Sequence, residues 1–435
     1  MQNESPAMER ELKISLIKDI ENLDVLMKLG EIYYSSDRLS LAKSCFSKIL
    51  GISNDINQKE KTRKFLLITE RDIQMNQSKM DHSVPDFLDL LIKELLEHSL
   101  NYYYYNIDME LFEMMSVPVS IDRVVVNTEN EKTEILNQLQ GITELYYYLE
   151  DKPSRDLLIK LLAFRLLGNK KVMLPLNTME YWAKRKSLQN LINSNEKIIT
   201  KFHKWNLQLF DLRKINFDLQ LFCFPIGISA TFVDGQYEYD KISPAIKARE
   251  GDIVIDAGGC FGDTALYFAS EIGENGHVYT IEFIQSNLEI MKKNFSLNEN
   301  LQQRITIVER PVWNKSNEIL YYMDQGPASF VKFSKTKDVN KEKHTVSIDD
   351  LVKERDIPKI DFIKMDIEGA EINALKGAVK TIQEFRPKLA IAIYHQIKDF
   401  ASVVNFISDL NLEYKFYLGH YTIYAQETIL FAIPK

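Results

Sequence analysis

From Asp252 onward, short apolar runs of β-forming residues alternate with stretches of helical periodicity, and this alternation leaves few folds open. Strands that each feed a helix return in parallel through right-handed crossovers, so helices must cover both faces of one sheet. The runs predict strands over 252–256, 277–282, 305–308, 361–366 and 388–394. Helices are expected over 263–272, 286–295, 371–385 and 400–410, and hairpin strands over 318–323 and 344–348. Strands near 414–418 and 428–433 close the chain, and their short connection makes them antiparallel to each other. The expected fold class is α/β, a doubly wound parallel sheet preceded by an all-α region.

The change of character falls near residue 205, which divides the chain into a helical segment over 1–75, a further helical region over 76–204 and the α/β domain over 205–435. Within the first, Leu29, Gly30, Tyr33, Ala42 and Phe46 stand at offsets that resemble one tetratricopeptide unit. Small Gly30 and Ala42 let two helices approach, and Tyr33 and Phe46 fill the seam. A generic helical hairpin explains the same residues. Residues 86–100 read as an amphipathic helix. Asp151 caps another, Pro153 suits its first turn, and Gly168 ends it. The tyrosines at 102–105 and 146–148 are expected in the core or on a half-buried helix surface rather than stacked on sugar rings.

Composition narrows the function. Lys and Arg number 54 against 62 Asp and Glu, a net charge of −8 that disfavours duplex nucleic acid as a partner. No apolar run approaches the ~20 residues of a membrane span. Three cysteines cannot build a disulfide framework, so a reducing cytoplasm is the expected location.

The sequence Asp256-Ala-Gly258-Gly259-Cys260-Phe-Gly262-Asp-Thr264 places a glycine turn between the first predicted strand and its helix. Such a turn brings bare backbone beside a ligand at the carboxyl ends of the strands. Counted from Gly258, the second and third glycines of a dinucleotide fingerprint are replaced by Cys260 and Asp263, which argues against a nicotinamide enzyme. The spacing fits the acidic-x-Gly-x-x-x-Gly turn of S-adenosylmethionine-dependent methyltransferases. Glu282, at the end of the second strand, can accept both ribose hydroxyls; a solvated strand-end acid is the alternative. Asp256, Gly258, Gly259, Cys260, Gly262, Thr264, Glu282 and its neighbour Phe283 form the expected cofactor side.

A second motif, Asp361-Phe-Ile-Lys364-Met-Asp366-Ile-Glu368-Gly369-Ala370-Glu371, packs a strand, a charge cluster and a helix start into eleven residues. Together with 251–259 it resembles the FkbM family of methyltransferases over roughly 235–435. The likeness extends back through Gln236-Tyr237-Glu238-Tyr239, which adds Tyr237 to the cofactor side. The resemblance implies a class I, Rossmann-like methyltransferase fold, S-adenosyl-L-methionine as donor, and a hydroxyl of a sugar, glycan or secondary metabolite as acceptor. The chain departs from the commoner Asp-x-Gly-Ala-Asn-x-Gly turn at Gly259 and Cys260, both small.

Asp366 and Glu368 sit where the crevice of such a sheet lies, and His395 follows the fifth strand. A neutral imidazole there can take the acceptor's hydroxyl proton. His420, after the next strand, is a further candidate, and a hydrogen-bonded structural role is the alternative for both histidines. Glu371 suits the first turn of its helix and needs no other role. Asp366 and Glu368 can hold Mg²⁺ with water and substrate oxygens, or can bind substrate hydroxyls directly. The function expected is O-methyl transfer. The alternative is a cofactor-binding scaffold whose helical half docks a protein partner or a second copy.

Overall fold

The computed structural model describes residues 6–75, 85–104, 106–109, 128–200, 205–326, 331–332, 335–336, 339 and 341–435. Contacts divide the chain into two compact units: Met1–Ile107 with Val124–Leu139 and Leu158–Leu174, and Asp108–Arg123 with Gln140–Leu157 and Pro175–Lys435.

The described residues of the first unit are helical where they are regular. The helices Leu23–Ser35 and Leu39–Ile52 pair along the seam that the repeat-like residues predict. Leu29, Tyr33, Ala42 and Phe46 are fully buried there. A Cβ on Gly30 would lie 2.6 Å from the Phe46 ring, so this seam closes only over glycine. The helix Phe87–His98 begins in a capping box between Asp86 and Asp89. Asp89 is itself buried, 2.6 Å from Lys13 Nζ, and accepts the Tyr33 hydroxyl. No helix among the described residues is long and apolar enough to cross a membrane.

The second unit begins its regular sheets earlier than the helical reading of 76–204 allows. Strands β1 (Ile192–Ile199), β2 (Asn206–Asp211) and β3 (Gln220–Cys223) form an antiparallel sheet. The solvent-facing β1 is mostly polar, Ile-Asn-Ser-Asn-Glu-Lys, so it carries no apolar alternation to announce it. The main sheet takes β4 (Ile253–Ala257), β5 (His277–Ile281) and β6 (Ile305–Val308). Next come β7 (Ile319–Tyr322), β8 (Val331–Lys332) and β9 (Lys341–His344), a small sheet of their own. The main sheet resumes with β10 (Phe362–Met365), β11 (Lys388–Ala392), β12 (Tyr414–His420) and β13 (Thr428–Pro434). Across seven strands the order is β12-β13-β11-β10-β4-β5-β6.

All pairs among β6, β5, β4, β10 and β11 are parallel, while β13 runs antiparallel to both β11 and β12. This is the class I methyltransferase arrangement, and the last two strands pair antiparallel as their short connection requires. The chain moves outward from β4 through β5 to β6, then returns to place β10 on the other side of β4. The carboxyl ends of β4 and β10 therefore flank the switch point where a crevice opens.

Other readings also differ from expectation. The hairpin strand expected over 344–348 lies instead at Lys341–His344, and a helix, Ile348–Glu354, begins where it should end. The helix expected over 371–385 is divided into Glu371–Lys376 and Val379–Phe385, because Gly377 lies where a Cβ would meet the Trp313 carbonyl at 2.2 Å. Tyr102, Tyr104, Tyr147 and Tyr148 are exposed rather than buried. Tyr102 and Tyr104 meet edge to face at 4.7 Å, as do Tyr146 and Tyr147 at 5.3 Å. Tyr105 lies outside the described residues.

Candidate active site

Strand β10 brings Lys364 to its end almost without solvent contact, its side chain 1% exposed. The ammonium lies 3.0 Å from Asp256 Oδ1 and donates to the carbonyls of Gly258 (2.7 Å) and Ala257 (3.3 Å). Burial alone would lower the lysine's pKa, but Asp256 and Asp366 raise it above its ordinary value. Asp256 also accepts the hydroxyls of Thr264 and Thr280, so both its oxygens are committed to the protein. This buried ion pair clamps the turn after β4 to the end of β10.

The turn is tight for the same reason. A Cβ on Gly258 would lie 1.9 Å from the Asp366 carbonyl, and one on Gly259 would lie 2.0 Å from Thr280 Oγ1. Gly258 has φ of +89° and Cys260 +43°. The glycines are thus demanded by close packing between strand ends as much as by any ligand.

The resulting cleft is lined by Gly258, Cys260 and Thr264 after β4, and by Glu282, Phe283, Ile284 and Asn287 after β5. Lys364, Asp366 and Glu368 line it from β10, Tyr394 from β11, Glu427 from the loop before β13, and Gln236 and Tyr237 from the segment before β4. Of the expected cofactor side, Tyr237, Gly258, Cys260, Thr264, Glu282 and Phe283 line this cleft. Asp256, Gly259 and Gly262 stand behind it.

Glu282 is 7% exposed. Its Oε1 accepts the backbone N–H groups of Phe283 (2.6 Å) and Ile284 (2.7 Å), and its Oε2 accepts Asn287 Nδ2 at 3.0 Å. Burial raises its pKa, opposed by those donors. The Asn287 side-chain oxygen is buried in the same wall with no protein donor. A carboxylate and an amide oxygen side by side suit a ligand that presents two hydroxyl donors.

The opposite wall is acidic. Asp366 accepts the hydroxyls of Tyr394 (3.1 Å) and Tyr237 (3.3 Å). Glu368 sits at the rim with φ of +57° and a half-exposed carboxylate. Partial burial lifts it to about 7, with His395 opposing and Asp366 and Glu371 adding to the rise. Glu427 is oriented by Gln236, whose amide donates to its Oε2.

His395 lies behind this wall rather than in it. Its Nε2 is 3.3 Å from Asp366 and 3.8 Å from Glu368, and its Nδ1 is 3.2 Å from Glu371. Burial would lower its pKa, but Glu371, Asp366 and Glu368 together raise it to about 9. At neutral pH the imidazole therefore already holds the proton that a general base would have to accept. Glu371 is fully buried and also accepts the Ile367 N–H at 2.9 Å, so its place is structural and electrostatic together. His420 pairs with Thr428 Oγ1 at 2.9 Å on the outer strands and does not line the cleft.

The pair offered for Mg²⁺, Asp366 and Glu368, does not form the tightest ligand group. The ligand atoms that converge within 4.8 Å of one another belong to Asp366, Glu371 and His395. Both imidazole nitrogens there face carboxylates, so a protonated ring already supplies the charge a cation would bring. That donor set does not fit a hard, oxygen-seeking Mg²⁺.

Residues 256–416 match the family model described as the methyltransferase FkbM domain. The chain carries an FkbM methyltransferase domain. Methyl transfer dependent on S-adenosylmethionine is the chemistry that this family implies. The FkbM methyltransferase of Methylobacillus flagellatus KT is 16% identical, with a TM-score of 0.43 over 84% of this chain and 77% of that one. A putative O-methyltransferase from Klebsiella pneumoniae is 13% identical, with a TM-score of 0.29 over 48% and 79%. Aeropyrum pernix fibrillarin, solved with natively bound S-adenosyl-L-methionine, is 12% identical, with a TM-score of 0.30 over 55% and 99%. Comparison with curated proteins gives no match.

The FkbM domain's cleft fits the cofactor on its own chemistry. Glu282 and the orphaned Asn287 oxygen match the donors of a ribose diol. Glu427, Tyr394 and Asn287 were not among the residues expected from sequence. Glu427 has one signal: it immediately precedes an antiparallel strand, and that reversal delivers it to the carboxyl edge of the sheet.

Proposed function

We propose that this protein methylates a hydroxyl oxygen of a sugar, glycan or related polyhydroxylated metabolite. The observation that carries the reading is the wall of Asp366 and Glu368, joined by the Tyr237 and Tyr394 hydroxyls, facing the glycine turn across the switch point. Carboxylates and phenols at that spacing orient hydroxyl groups by accepting and donating hydrogen bonds. When bound, S-adenosylmethionine supplies an electrophilic methyl group on a sulfonium. Tyr237, Gly258, Cys260, Thr264, Glu282 and Phe283 bind it, with Asn287 beside Glu282. Asp256, Gly259 and Gly262 shape the turn from behind.

An in-line displacement asks the protein mainly to align acceptor oxygen and methyl carbon and to remove a proton. Asp366 and Glu368 hold the acceptor. His395 acts through Asp366 as a positioning residue, its Nε2 set 3.3 Å from that carboxylate. His420 supports the edge of the sheet. The free cysteines, Cys45, Cys223 and Cys260, accord with a reducing cytoplasm. The test is transfer of a labelled methyl group from S-adenosylmethionine to a panel of sugars, with the methylated atom located by NMR. Label found on nitrogen or carbon, and never on oxygen, would overturn this reading.

A further inference from the structure

Glu427 occupies the loop between β12 and β13 in a left-handed backbone conformation, with φ of +62°. A non-glycine residue held there carries a backbone strain that its surroundings must offset. What the conformation achieves is placement. Thr428 opens β13 beside the carboxyl end of β11, and its carbonyl accepts the Ile393 N–H at 3.0 Å. Glu427 is thereby set into the cleft beside Asp366 and Tyr394.

Its two oxygens have different surroundings. Oε2 accepts the Gln236 amide, which fixes the plane of the carboxyl group. Oε1 has the Tyr394 hydroxyl at 3.5 Å, but that hydroxyl lies closer to Asp366, at 3.1 Å. A phenol has one proton to donate, and the nearer carboxylate takes it. Oε1 is the oxygen presented to whatever enters the cleft.

We propose that Glu427 is the base that removes the proton from the acceptor hydroxyl, an inference that rests on the O-methylation reading and completes it. In the step, a lone pair of the acceptor oxygen forms the bond to the methyl carbon. The carbon–sulfur bond of the sulfonium breaks, its electron pair remaining on sulfur. The acceptor's O–H bond breaks, and the proton passes to Oε1 of Glu427. No reactant beyond methyl donor and acceptor is needed.

The electrostatics of the site accord with that role. The groups facing Glu427 are Asp366 and Glu368 from the end of β10, Tyr394 and His395 after β11, and Gln236 and Tyr237 ahead of β4. Burial and the Asp366 charge lift its carboxyl to about 8, with His395 and Gln236 opposing and Glu368 adding. A base works best when its pKa lies near the working pH, which an ordinary carboxylate does not satisfy. His395 carries its proton over the same range, and Asp366 already accepts two phenols.

Two measurements on the full chain decide the matter. Infrared difference spectra across pH 6–10 report protonated carboxyl groups directly, with S-adenosylmethionine bound. The wild type should lose a carboxyl band in a step with a midpoint of about 8, distinct from that of Glu368 at about 7. Glu427→Gln should lack that step, while Glu368→Gln should keep it. A step at about 8 that persists in Glu427→Gln overturns the proposal. In labelled methyl transfer to free neutral and amino hexoses, Glu427→Gln should lower turnover ~10²–10⁴-fold and abolish the rise of rate with pH. Its affinity for S-adenosylmethionine by calorimetry should stay within about threefold. Full turnover in that variant also overturns the proposal. If Glu427→Gln does not fold, Glu427→Asp serves in its place, expected to retain a titrating carboxyl at reduced turnover. An acceptor panel on which the wild type methylates nothing defeats the hydroxyl-acceptor reading, while the infrared titration still decides whether Glu427 is the poised group.

Discussion

At Glu282 one carboxylate serves the fold and the ligand together. Its Oε1 holds the turn after β5 through two backbone N–H groups, and its side of the cleft also carries the orphaned Asn287 oxygen. Glu282→Ala should weaken S-adenosylmethionine binding by ~1.5–3 kcal/mol, the loss of charge-assisted hydrogen bonds. Asn287→Ala should weaken it less, since one neutral acceptor is removed. Calorimetry on folded variants checks both, and unchanged affinity in Glu282→Ala would sink the ribose assignment. His395 offers a pH test. Its folded pKa, about 9, lies above the ordinary 6.5, so its stabilising contribution is full below about 6.5 and is lost as pH rises through 9. The melting temperature of His395→Gln should fall furthest below wild type near pH 6, and the gap should close by pH 9.5. A gap that widens with pH would contradict a protonated imidazole. Chelators should leave methyl transfer unchanged; activity lost to a chelator and restored by Mg²⁺ would return Asp366 and Glu368 to metal binding. At this scale the sequence displayed residue types and strand ends, so Asp366, Glu368 and Glu282 were legible. It did not display that His395 is flanked by three carboxylates, because Glu371 and Asp366 reach it from another strand's turn.

Among the elements, β4 and β10 are joined by more than their ladder. Lys364 on β10 is paired across to Asp256 on β4 in register, and the pair is sealed from solvent. Lys364→Met should destabilise the domain by ~3–5 kcal/mol, because it leaves Asp256 charged, buried and unpaired. Asp256→Asn combined with Lys364→Met should recover part of that loss, since no uncompensated charge remains. Denaturant midpoints measure both, and additive losses would show that the two groups do not act as a pair. The alternation of apolar strands with helices was legible because these strands are buried on both faces and read as continuous runs. The polar edge strand β1 was not, and neither was the division of the helix at Gly377. That break is set by the approach of the Trp313 backbone, a contact between segments distant in sequence.

For the molecule as a whole, the question is what the helical first unit contributes to catalysis. Among the described residues, those lining the cleft lie between Cys223 and Glu427, inside the second unit. Destabilising the first unit should therefore leave cofactor binding intact. Phe46 is fully buried in the seam between the helices Leu23–Ser35 and Leu39–Ile52, and stacks on Phe65 at 5.3 Å. Phe46→Ala should destabilise that unit by ~3–5 kcal/mol. Its melting transition should drop while the S-adenosylmethionine dissociation constant stays within about twofold of wild type. Truncation is a different perturbation. The second unit takes in residues 140–157 and 175–200, which precede the change of character near 205. Ser154 holds the backbone N–H of Leu418 on β12 and meets the Tyr239 hydroxyl at 3.0 Å, while Asp151 accepts that same hydroxyl. A chain begun at Lys201 removes these contacts together with β1, the partner of β2. It should melt well below the full chain even if it still binds the cofactor, whereas Phe46→Ala should not shift the second unit's transition. If Phe46→Ala abolished cofactor binding with the second unit still folded, the helical unit would have to be given a part in the site.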